Sequence, residues 1–473
     1  MELHVLPAFN LPLSLILATV VPLLGCILCG RWKIPPPFPK DIPWAGRRDE
    51  VFASIRARFR GWPSMKSSLS EGYNKFNRHG QPFIHANWSF RPQVILPVKD
   101  FEWMLRLPDS KISVQEVMND SEGLAHLYKH RSAIEEKVGA VSTSQHLTKD
   151  LDRIQPELYE ELKDSLDRVL GLDTEQWRSL ALHPAMDRVV GQVSARIMFG
   201  STLCRDEGFL RAMARFTKCF GVSIIATAQL MPWFLQSALS VFFRIPVYLT
   251  FRRVAAYIEP LMMEWDAQMD QEDTEPPATG SEVPYNMTTT LLRTARRLSN
   301  LSIHQLTWTI AQAAALPFTS VSASACNLLV DVASYPPEKG LYSSLQQEAL
   351  STLDSSAAWR DPANFAKLRF ITSTVQESLR LSPQLLRAAN REVIHPDGLT
   401  LPTGQHLPRG TWVGASALDI HLDERFYPDP TTYDPFRFVK ATAAAQETDA
   451  AQAQARVSTS STFLSFSSGR HAW

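Results

Sequence analysis

Apolar residues recur at spacings of three and four along most of this chain, which is the pattern of amphipathic helices. The pattern is clearest in three segments, 158–170, 186–198 and 251–269. It also predicts a long, mostly apolar helix over residues 302–334 and a charged helix over residues 365–381. The chain is therefore predicted to be mainly helical.

Strand signals are few and lie in two places. Residues 88–97 (WSFRPQVILP) have the composition of one strand, and residues 390–414 that of short strands broken by Pro and Gly turns. Two stretches rich in polar and small residues, 271–284 and 441–461, are predicted to be loops. Since no break in composition divides the rest, residues 49–473 are predicted to form one domain, mainly α with small β-sheets.

The N-terminal segment differs because it is almost wholly apolar. Residues 5–29 contain no charged side chain, and about 20 apolar residues are enough to cross a bilayer. A cleaved signal peptide would carry basic residues before the apolar run, whereas here Glu2 precedes it and Arg31 and Lys33 follow it. Residues 5–30 are therefore predicted to be a transmembrane anchor that keeps the following domain on the cytoplasmic side.

Prolines dominate the segment that follows the anchor, residues 31–48. They are Pro35, Pro36, Pro37, Pro39 and Pro43. Proline fixes φ and disfavours helix at the residue before it. The segment is therefore predicted to be a stiff, extended hinge between the anchor and the domain.

Composition narrows the possible functions. The chain has 48 Lys and Arg against 48 Asp and Glu, so it lacks the basic excess that nucleic-acid binding requires. Hydrophobic residues at 45% exclude a disordered chain, and five Cys in 473 residues do not form a disulfide framework. The composition favours a globular protein without a nucleic-acid partner.

Three motifs in the C-terminal part of the chain carry candidate chemistry. Glu377 and Arg380 are three residues apart on a predicted helix, where side chains at this spacing meet. Arg437 lies between aromatic residues in a proline-rich segment, where its guanidinium can form a forked bond to a carboxylate. Residues 466–473 (FSSGRHAW) combine an aromatic residue, a Gly turn and basic side chains.

In this order and at these distances the motifs resemble those of the cytochrome P450 family. The family patterns are Glu-x-x-Arg, Pro-x-Arg-Phe and the start of the haem-binding loop, Phe-x-x-Gly-x-Arg-x-Cys. The resemblance covers nearly the whole chain, most firmly residues 300–473, and is to membrane-bound fungal members that modify secondary metabolites. It implies a cytochrome P450 fold preceded by the single N-terminal transmembrane helix.

The resemblance also implies roles for the matching residues. Glu377, Arg380 and Arg437 would form a buried charge triad beneath the haem, and removing one partner would leave a buried charge unpaired.

The haem-binding loop would contain Phe466, Gly469, Arg470 and His471. His471 lies where the family usually has an Arg that reaches a haem propionate, and a protonated His can make that bond more weakly. The alternative for His471 is an exposed side chain near the end of the chain.

The family's oxygen-activating helix carries an acid followed by hydroxyl residues. The matching segment here is 314–320 (AALPFTS), with Pro317 near the acid position and Phe318 near the first Thr. Thr319 and Ser320 are thus implied as the catalytic hydroxyl groups. The alternative is an ordinary helix kinked by Pro317, whose Thr and Ser are satisfied by the helix itself.

The axial ligand of the family is a Cys thiolate that pushes electron density onto the iron, and it is expected at the position of Trp473. An indole N–H has no lone pair to donate, so the sequence offers no metal ligand at that position. Three explanations stay open: a misread exon edge that ends the reading frame early, a truncated remnant, or a haemless pseudoenzyme.

The resemblance implies a haem-thiolate monooxygenase that inserts one oxygen atom from O2 into an apolar terpenoid, polyketide or alkaloid. It implies haem iron as cofactor, electrons from NADPH through a reductase partner, and a single-pass location in the endoplasmic reticulum with the domain in the cytoplasm. Substrate contacts are expected from residues 114–127, 216–234 and 313–320. Two other classes stay open: a haemless, membrane-tethered binding protein, and an isomerase or dehydratase that needs no reductase.

Overall fold

The computed structural model describes most of the chain. The described residues are 38–48, 50–61, 64–86, 91–121, 127, 132–149, 151–231, 233–274, 283–439 and 460–468. The predicted anchor, residues 5–30, lies outside them, as do residues 31–37 of the hinge. The same holds for five residues of the C-terminal motif, Gly469, Arg470, His471, Ala472 and Trp473.

Helices dominate the described residues, as the apolar periodicity predicts. In chain order they are α1 (Ala53–Gly61), α2 (Met65–Lys75), α3 (Val98–Leu105), α4 (Val114–Ser121), α5 (Ala133–Thr143), α6 (Leu151–Leu170), α7 (Leu182–Phe199), α8 (Ser201–Cys204), α9 (Glu207–Ile224), α10 (Trp233–Thr274), α11 (Met287–Leu298), α12 (Ile303–Ser334), α13 (Leu341–Thr352), α14 (Ser356–Arg360), α15 (Pro362–Phe365), α16 (Arg369–Leu381) and α17 (Ala417–His421).

The long apolar helix is confirmed as α12, and its start follows from a local signal. Ser302 is the N-cap: its hydroxyl accepts the Gln305 N–H at 3.3 Å, while the Gln305 amide oxygen accepts the Ser302 N–H at 3.1 Å. This reciprocal capping satisfies donors that the first helical turn leaves unpaired. The three shorter periodic segments lie inside α6, α7 and α10.

The predicted charged helix over 365–381 is wrong at its start. α15 ends at Phe365 and α16 begins only at Arg369. The reason is a contact from elsewhere, because the N–H groups of Phe370 and Ile371 both donate to the Glu348 carboxylate of α13 at 2.8 Å. An acidic side chain there binds the free N–H groups of a helix start and favours a new helix at that point.

The strands form two small sheets. The larger contains β1 (Phe83–His85), β2 (Gln93–Ile95), β3 (Ile112–Ser113), β4 (Arg387–Val393) and β7 (Trp412–Ser416), in the order β1-β2-β7-β4-β3. β2 and β7 are parallel, whereas the other pairs are antiparallel.

The second sheet pairs β5 (Leu399–Thr400) with β6 (His406–Leu407). The predicted short, broken strands of 390–414 are thus confirmed. In the predicted strand over 88–97, residues 88–90 lie outside the described part and only β2 is extended.

The largest apolar core lies around α12. Ile310, Ala311 and Ala314 of α12 are fully buried, and α12 packs against α7, α9 and α10. Phe251 of α10 meets Trp308 of α12 edge to face, with ring centroids 4.6 Å apart. Among the described helices α12 is also the one whose length and apolar composition would allow it to cross a membrane, and its packing makes it a core helix of the domain.

A second core lies under the larger sheet and includes Leu464 from the described C-terminal segment. α16 packs against α12 of the first core and against α17, which directly follows β7 of the sheet. The charged residues of α16 therefore lie where the helical part and the sheet part of the domain meet.

Candidate active site

Glu377 and Arg380 form a forked ion pair on the buried face of α16. Both side chains have 0% exposure. The Arg380 Nε and Nη2 donate to the Oε2 and Oε1 of Glu377, each at 2.8 Å. Two parallel bonds between charged groups are stronger and more directional than a single contact.

Arg437 reaches the same carboxylate from the proline-rich segment that follows α17. Its Nε donates to both Glu377 oxygens at 3.1 Å, and its side chain is 12% exposed. Its Nη2 donates to the carbonyl oxygens of Asp429 at 3.2 Å and Thr432 at 3.1 Å. The structure thus brings together all three residues of the expected charge triad.

The triad carries one carboxylate and two guanidinium groups, so one positive charge is left over. The Arg380 Nη1 donates to the carbonyl oxygens of His421 at 2.6 Å and Pro430 at 2.7 Å. Its guanidinium carbon also lies 5.1 Å from the centroid of the Tyr427 ring. Carbonyl dipoles and an aromatic face both stabilise a cation, and here they take the place of a second acid.

The segment 460–468 lies against the C-terminal end of α16. The Ser465 hydroxyl donates to the Leu379 carbonyl at 2.8 Å, and the Leu464 N–H donates to the His421 Nε2 at 2.7 Å. Phe466 is half-buried in the turn that the Ser467 N–H closes on the Leu464 carbonyl at 3.0 Å. Among the expected haem-loop residues, Phe466 lies in the described part of the chain.

Thr319 and Ser320 lie on the second half of α12, with Thr319 exposed and Ser320 half-buried. Both hydroxyl groups donate to the Leu316 carbonyl, at 3.0 Å and 2.9 Å. Among the described contacts, neither hydroxyl bonds to the charge triad. Thr319 and Ser320 therefore have their hydrogen bonds satisfied by the helix, as an ordinary core helix would have them.

Pro317 lies inside α12, which remains one helix through this point. Because proline has no N–H, the carbonyl of Ala313 loses the donor it would have in a regular helix. The neighbouring Phe318 is 8% exposed and turns towards α7, where a Cβ on Gly191 would lie only 3.2 Å from its ring.

Sequence reasoning missed Arg387, the first residue of β4. Its Nη1 donates to the Gln93 Oε1 at 3.0 Å, and no carboxylate of the described residues lies within ion-pair distance. Burial lowers the pKa of Arg387 to about 10. Burial, and after it the charge of Arg387, lower the pKa of His85 to about 3. A half-buried cation without an acidic partner among the described residues indicates an anionic ligand.

A second arginine of β4, Arg391, is 4% exposed and connects the sheet to the C-terminal segment. Its Nη2 donates to the Ser468 carbonyl at 3.5 Å. A signal for both arginines was present in the sequence RAANREV, since two arginines are unusual in a strand that is otherwise mostly apolar and small.

These residues fit the carboxylate side of a haem. Arg387 hydrogen-bonds through Nη1 alone within the described part of the chain, so its Nε and Nη2 remain to receive a propionate. The expected ligand position, Trp473, lies outside the described residues, and its side chain offers no lone pair to iron.

Comparison with known proteins agrees with this geometry. The cytochrome P450 family model matches residues 128–472. The chain therefore belongs to the cytochrome P450 family, and by homology it is a cytochrome P450 monooxygenase.

The relatives place it close to fungal monooxygenases of secondary metabolism. It is 31% identical to the cytochrome P450 monooxygenase polB of Polytolypa hystricis, over 97% of this chain and 89% of that protein. It is also 31% identical to the cytochrome P450 monooxygenase efuH of Hormonema carpetanum, over 98% of this chain and 83% of that protein.

Among solved structures, retinoic acid bound cyanobacterial CYP120A1 is similar, with a TM-score of 0.58 and 16% identity over 93% of this chain and 87% of that one. At that identity the likeness shows the fold alone. The mainly helical fold with small sheets is thus confirmed.

Proposed function

We propose that this chain is the haem-binding part of a monooxygenase that inserts one oxygen atom from O2 into a C–H bond of an apolar secondary metabolite. Terpenoids, polyketides and alkaloids are the substrate classes. The observation that carries the proposal is the buried junction at which Glu377 binds Arg380 and Arg437, on the helix whose end supports segment 460–468.

Haem iron, when bound to a thiolate, supplies the electron density that cleaves the O–O bond. The residues of this chain would bind and orient the haem. Arg387 binds a propionate through its unpaired N–H groups, and Arg391 holds Ser468 and with it the start of the haem-binding loop. Phe466 precedes Ser468 in the same motif, Gly469, Arg470 and His471 follow it, and His471 would offer a second donor to a propionate.

The hydroxyl groups of α12 are proposed to deliver protons to the reacting oxygen. Thr319 and Ser320 lie one turn beyond Ala315, and Pro317 leaves the Ala313 carbonyl free to accept a hydrogen bond from water. This carbonyl and the exposed Thr319 hydroxyl lie within one stretch of a mostly apolar helix.

Exposed apolar side chains support an apolar substrate. Leu316 of α12 is 55% exposed, Leu385 before β4 is 53% exposed and Met118 of α4 is 36% exposed. α4, which carries Met118, packs against β4, the strand that follows Leu385. Apolar substrates are bound by pockets lined mostly with apolar side chains.

Electrons are proposed to come from an NADPH-dependent reductase, and the chain is proposed to be anchored in the endoplasmic reticulum with its domain in the cytoplasm. The uncharged residues 5–30, followed by Arg31 and Lys33, support the anchor. Extraction of membranes with alkaline carbonate tests it: an anchored chain stays with the membrane pellet, whereas release into the supernatant contradicts it.

The activity is tested with the full reading frame that contains this chain, in membranes with a reductase, NADPH, 18O2 and a panel of apolar secondary metabolites. The expected product contains one 18O atom and forms only with NADPH. Turnover without NADPH or label would instead indicate an isomerase or dehydratase.

A haemless binding protein is the second candidate, and Trp473 at the expected ligand position favours it. Genomic sequence beyond codon 473 separates the two. An in-frame Cys-x-Gly just past a splice site indicates the enzyme, and its absence favours the binding protein.

A further inference from the structure

His421, the last residue of α17, is fully buried and uses both ring nitrogens. Its Nδ1 lies 2.9 Å from the Arg380 carbonyl oxygen, and its Nε2 lies 2.7 Å from the Leu464 backbone nitrogen. Because the Leu464 N–H can only donate, Nε2 must accept. The proton therefore lies on Nδ1 and the imidazole is neutral.

The same residue makes two further contacts with the site. Its backbone carbonyl accepts from the Arg380 Nη1 at 2.6 Å. Its ring stacks on Phe463 with centroids 5.5 Å apart and an interplanar angle of 22°. His421 thus contacts α16 through its backbone and its side chain, and segment 460–468 through a hydrogen bond and a stacked ring.

The place where these contacts meet is the C-terminal end of α16. The last carbonyl groups of a helix have no partner within it and need donors from elsewhere. The Arg380 carbonyl accepts from the His421 Nδ1–H, and the Leu379 carbonyl accepts from the Ser465 hydroxyl at 2.8 Å. The helix end that follows Glu377 is therefore completed by His421 and by segment 460–468.

We propose that His421 is a positioning residue for the haem-binding loop. Through Nδ1 it is fixed to α16, and through Nε2 it fixes the Leu464 amide. This sets the direction in which the chain leaves Ser468 towards the loop that binds haem. The proposal rests on the haem-binding function proposed above, but its contacts lie wholly within residues that the structure describes.

Two variants with amide side chains, His421→Gln and His421→Asn, distinguish the contributions of the two ring nitrogens. The amide group of Gln reaches the position of Nε2 and keeps an acceptor for Leu464, whereas that of Asn stops at the position of Nδ1. His421→Phe keeps the stacked ring and removes both hydrogen bonds. Met213→Ala creates a cavity at a fully buried position of the helical core and serves as the control for general destabilisation.

Hydrogen exchange followed by mass spectrometry is measured on a peptide covering 460–468, in the chain without haem. We expect about tenfold faster exchange for His421→Asn and His421→Phe, and near wild-type exchange for His421→Gln and Met213→Ala. Equal exchange in the Asn and Gln variants would overturn the proposal, and so would wild-type protection in His421→Phe. Because this measurement needs no haem, it keeps its meaning if the monooxygenase function fails.

The second measurement uses the full reading frame loaded with haem. The fraction of protein with a thiolate-type Soret band in the reduced, CO-bound spectrum should follow the same order, with Gln above Asn and Phe. Loss of the band in Met213→Ala to the same extent would show that general destabilisation is the cause and would overturn the positioning role.

Discussion

Replacing Glu377 with Gln keeps the shape of the side chain and removes its charge. In the wild type the carboxylate accepts two bonds from Arg380 at 2.8 Å, two from the Arg437 Nε at 3.1 Å and one from the Asp434 N–H at 3.0 Å. In Glu377→Gln two guanidinium groups would face each other with no anion between them. Breaking a buried ion pair costs about 3–5 kcal/mol, and we expect a loss in this range.

Arg437→Ala should cost less, although it removes a residue of the same triad. Glu377 would keep its fork to Arg380 and the pair would be neutral. The loss then consists mainly of the charge-assisted bonds of one guanidinium, about 2 kcal/mol. The structure therefore predicts an order, with Glu377→Gln more destabilised than Arg437→Ala.

Urea unfolding monitored by circular dichroism and Trp fluorescence measures this order. Lys163→Ala is the matched control, since it breaks an exposed ion pair with Asp167 on α6, whose side chains are 60% and 39% exposed. Such a pair contributes about 0.5 kcal/mol or less. A loss below about 1 kcal/mol for Glu377→Gln, or a larger loss for Arg437→Ala, would refute the view that one carboxylate neutralises both arginines.

Three further predictions concern other parts of the site. Arg387→Met removes a half-buried cation that has no acidic partner among the described residues, so haem transfer to apomyoglobin should become about tenfold faster. The haem-free chain should stay as stable as the wild type, and its destabilisation would contradict a ligand role. Burial lowers the pKa of His421 from 6.5 to about 4, so between these pH values the unfolded chain binds more protons than the folded chain. Urea unfolding at a series of pH values should show about 3 kcal/mol of stability lost as the pH falls from 6.5 to 4. A smaller loss in His421→Gln confirms that His421 is the group responsible, and an equal loss rejects it. Pro317→Ala supplies an N–H to the Ala313 carbonyl, so the melting temperature should rise and the free energy of unfolding should increase by about 1–3 kcal/mol. No gain in stability would mean that α12 is already adapted to the proline.

The parts of the fold and of the site that could be predicted follow from local sequence patterns. α12 is mostly apolar and begins at a capping box, and both of these are patterns of neighbouring residues in the sequence. Glu377 and Arg380 are neighbours on one helix, so their spacing alone predicts that they meet. That Arg437 joins this pair was predicted from the order of the motifs along the chain rather than from the residues next to it.

The features that were missed depend on contacts between distant parts of the chain. α16 begins at Arg369 because Glu348 of another helix binds its first N–H groups. Arg387 meets Gln93 only because β7 pairs with β2 on one side and β4 on the other. His421 gains its role from a backbone N–H 43 residues further along the chain. The periodicity of apolar residues and the spacing of motifs do not predict such contacts between distant parts of the chain.

The central claim is that the triad and segment 460–468 support a loop that presents a thiolate-bound haem. The most direct test is the reduced, CO-bound absorption spectrum of the full reading frame, expressed with haem and confirmed as folded by circular dichroism. We predict a thiolate-type Soret band in the wild type. A folded protein that takes up no haem, or that binds haem without this band, would contradict the assignment.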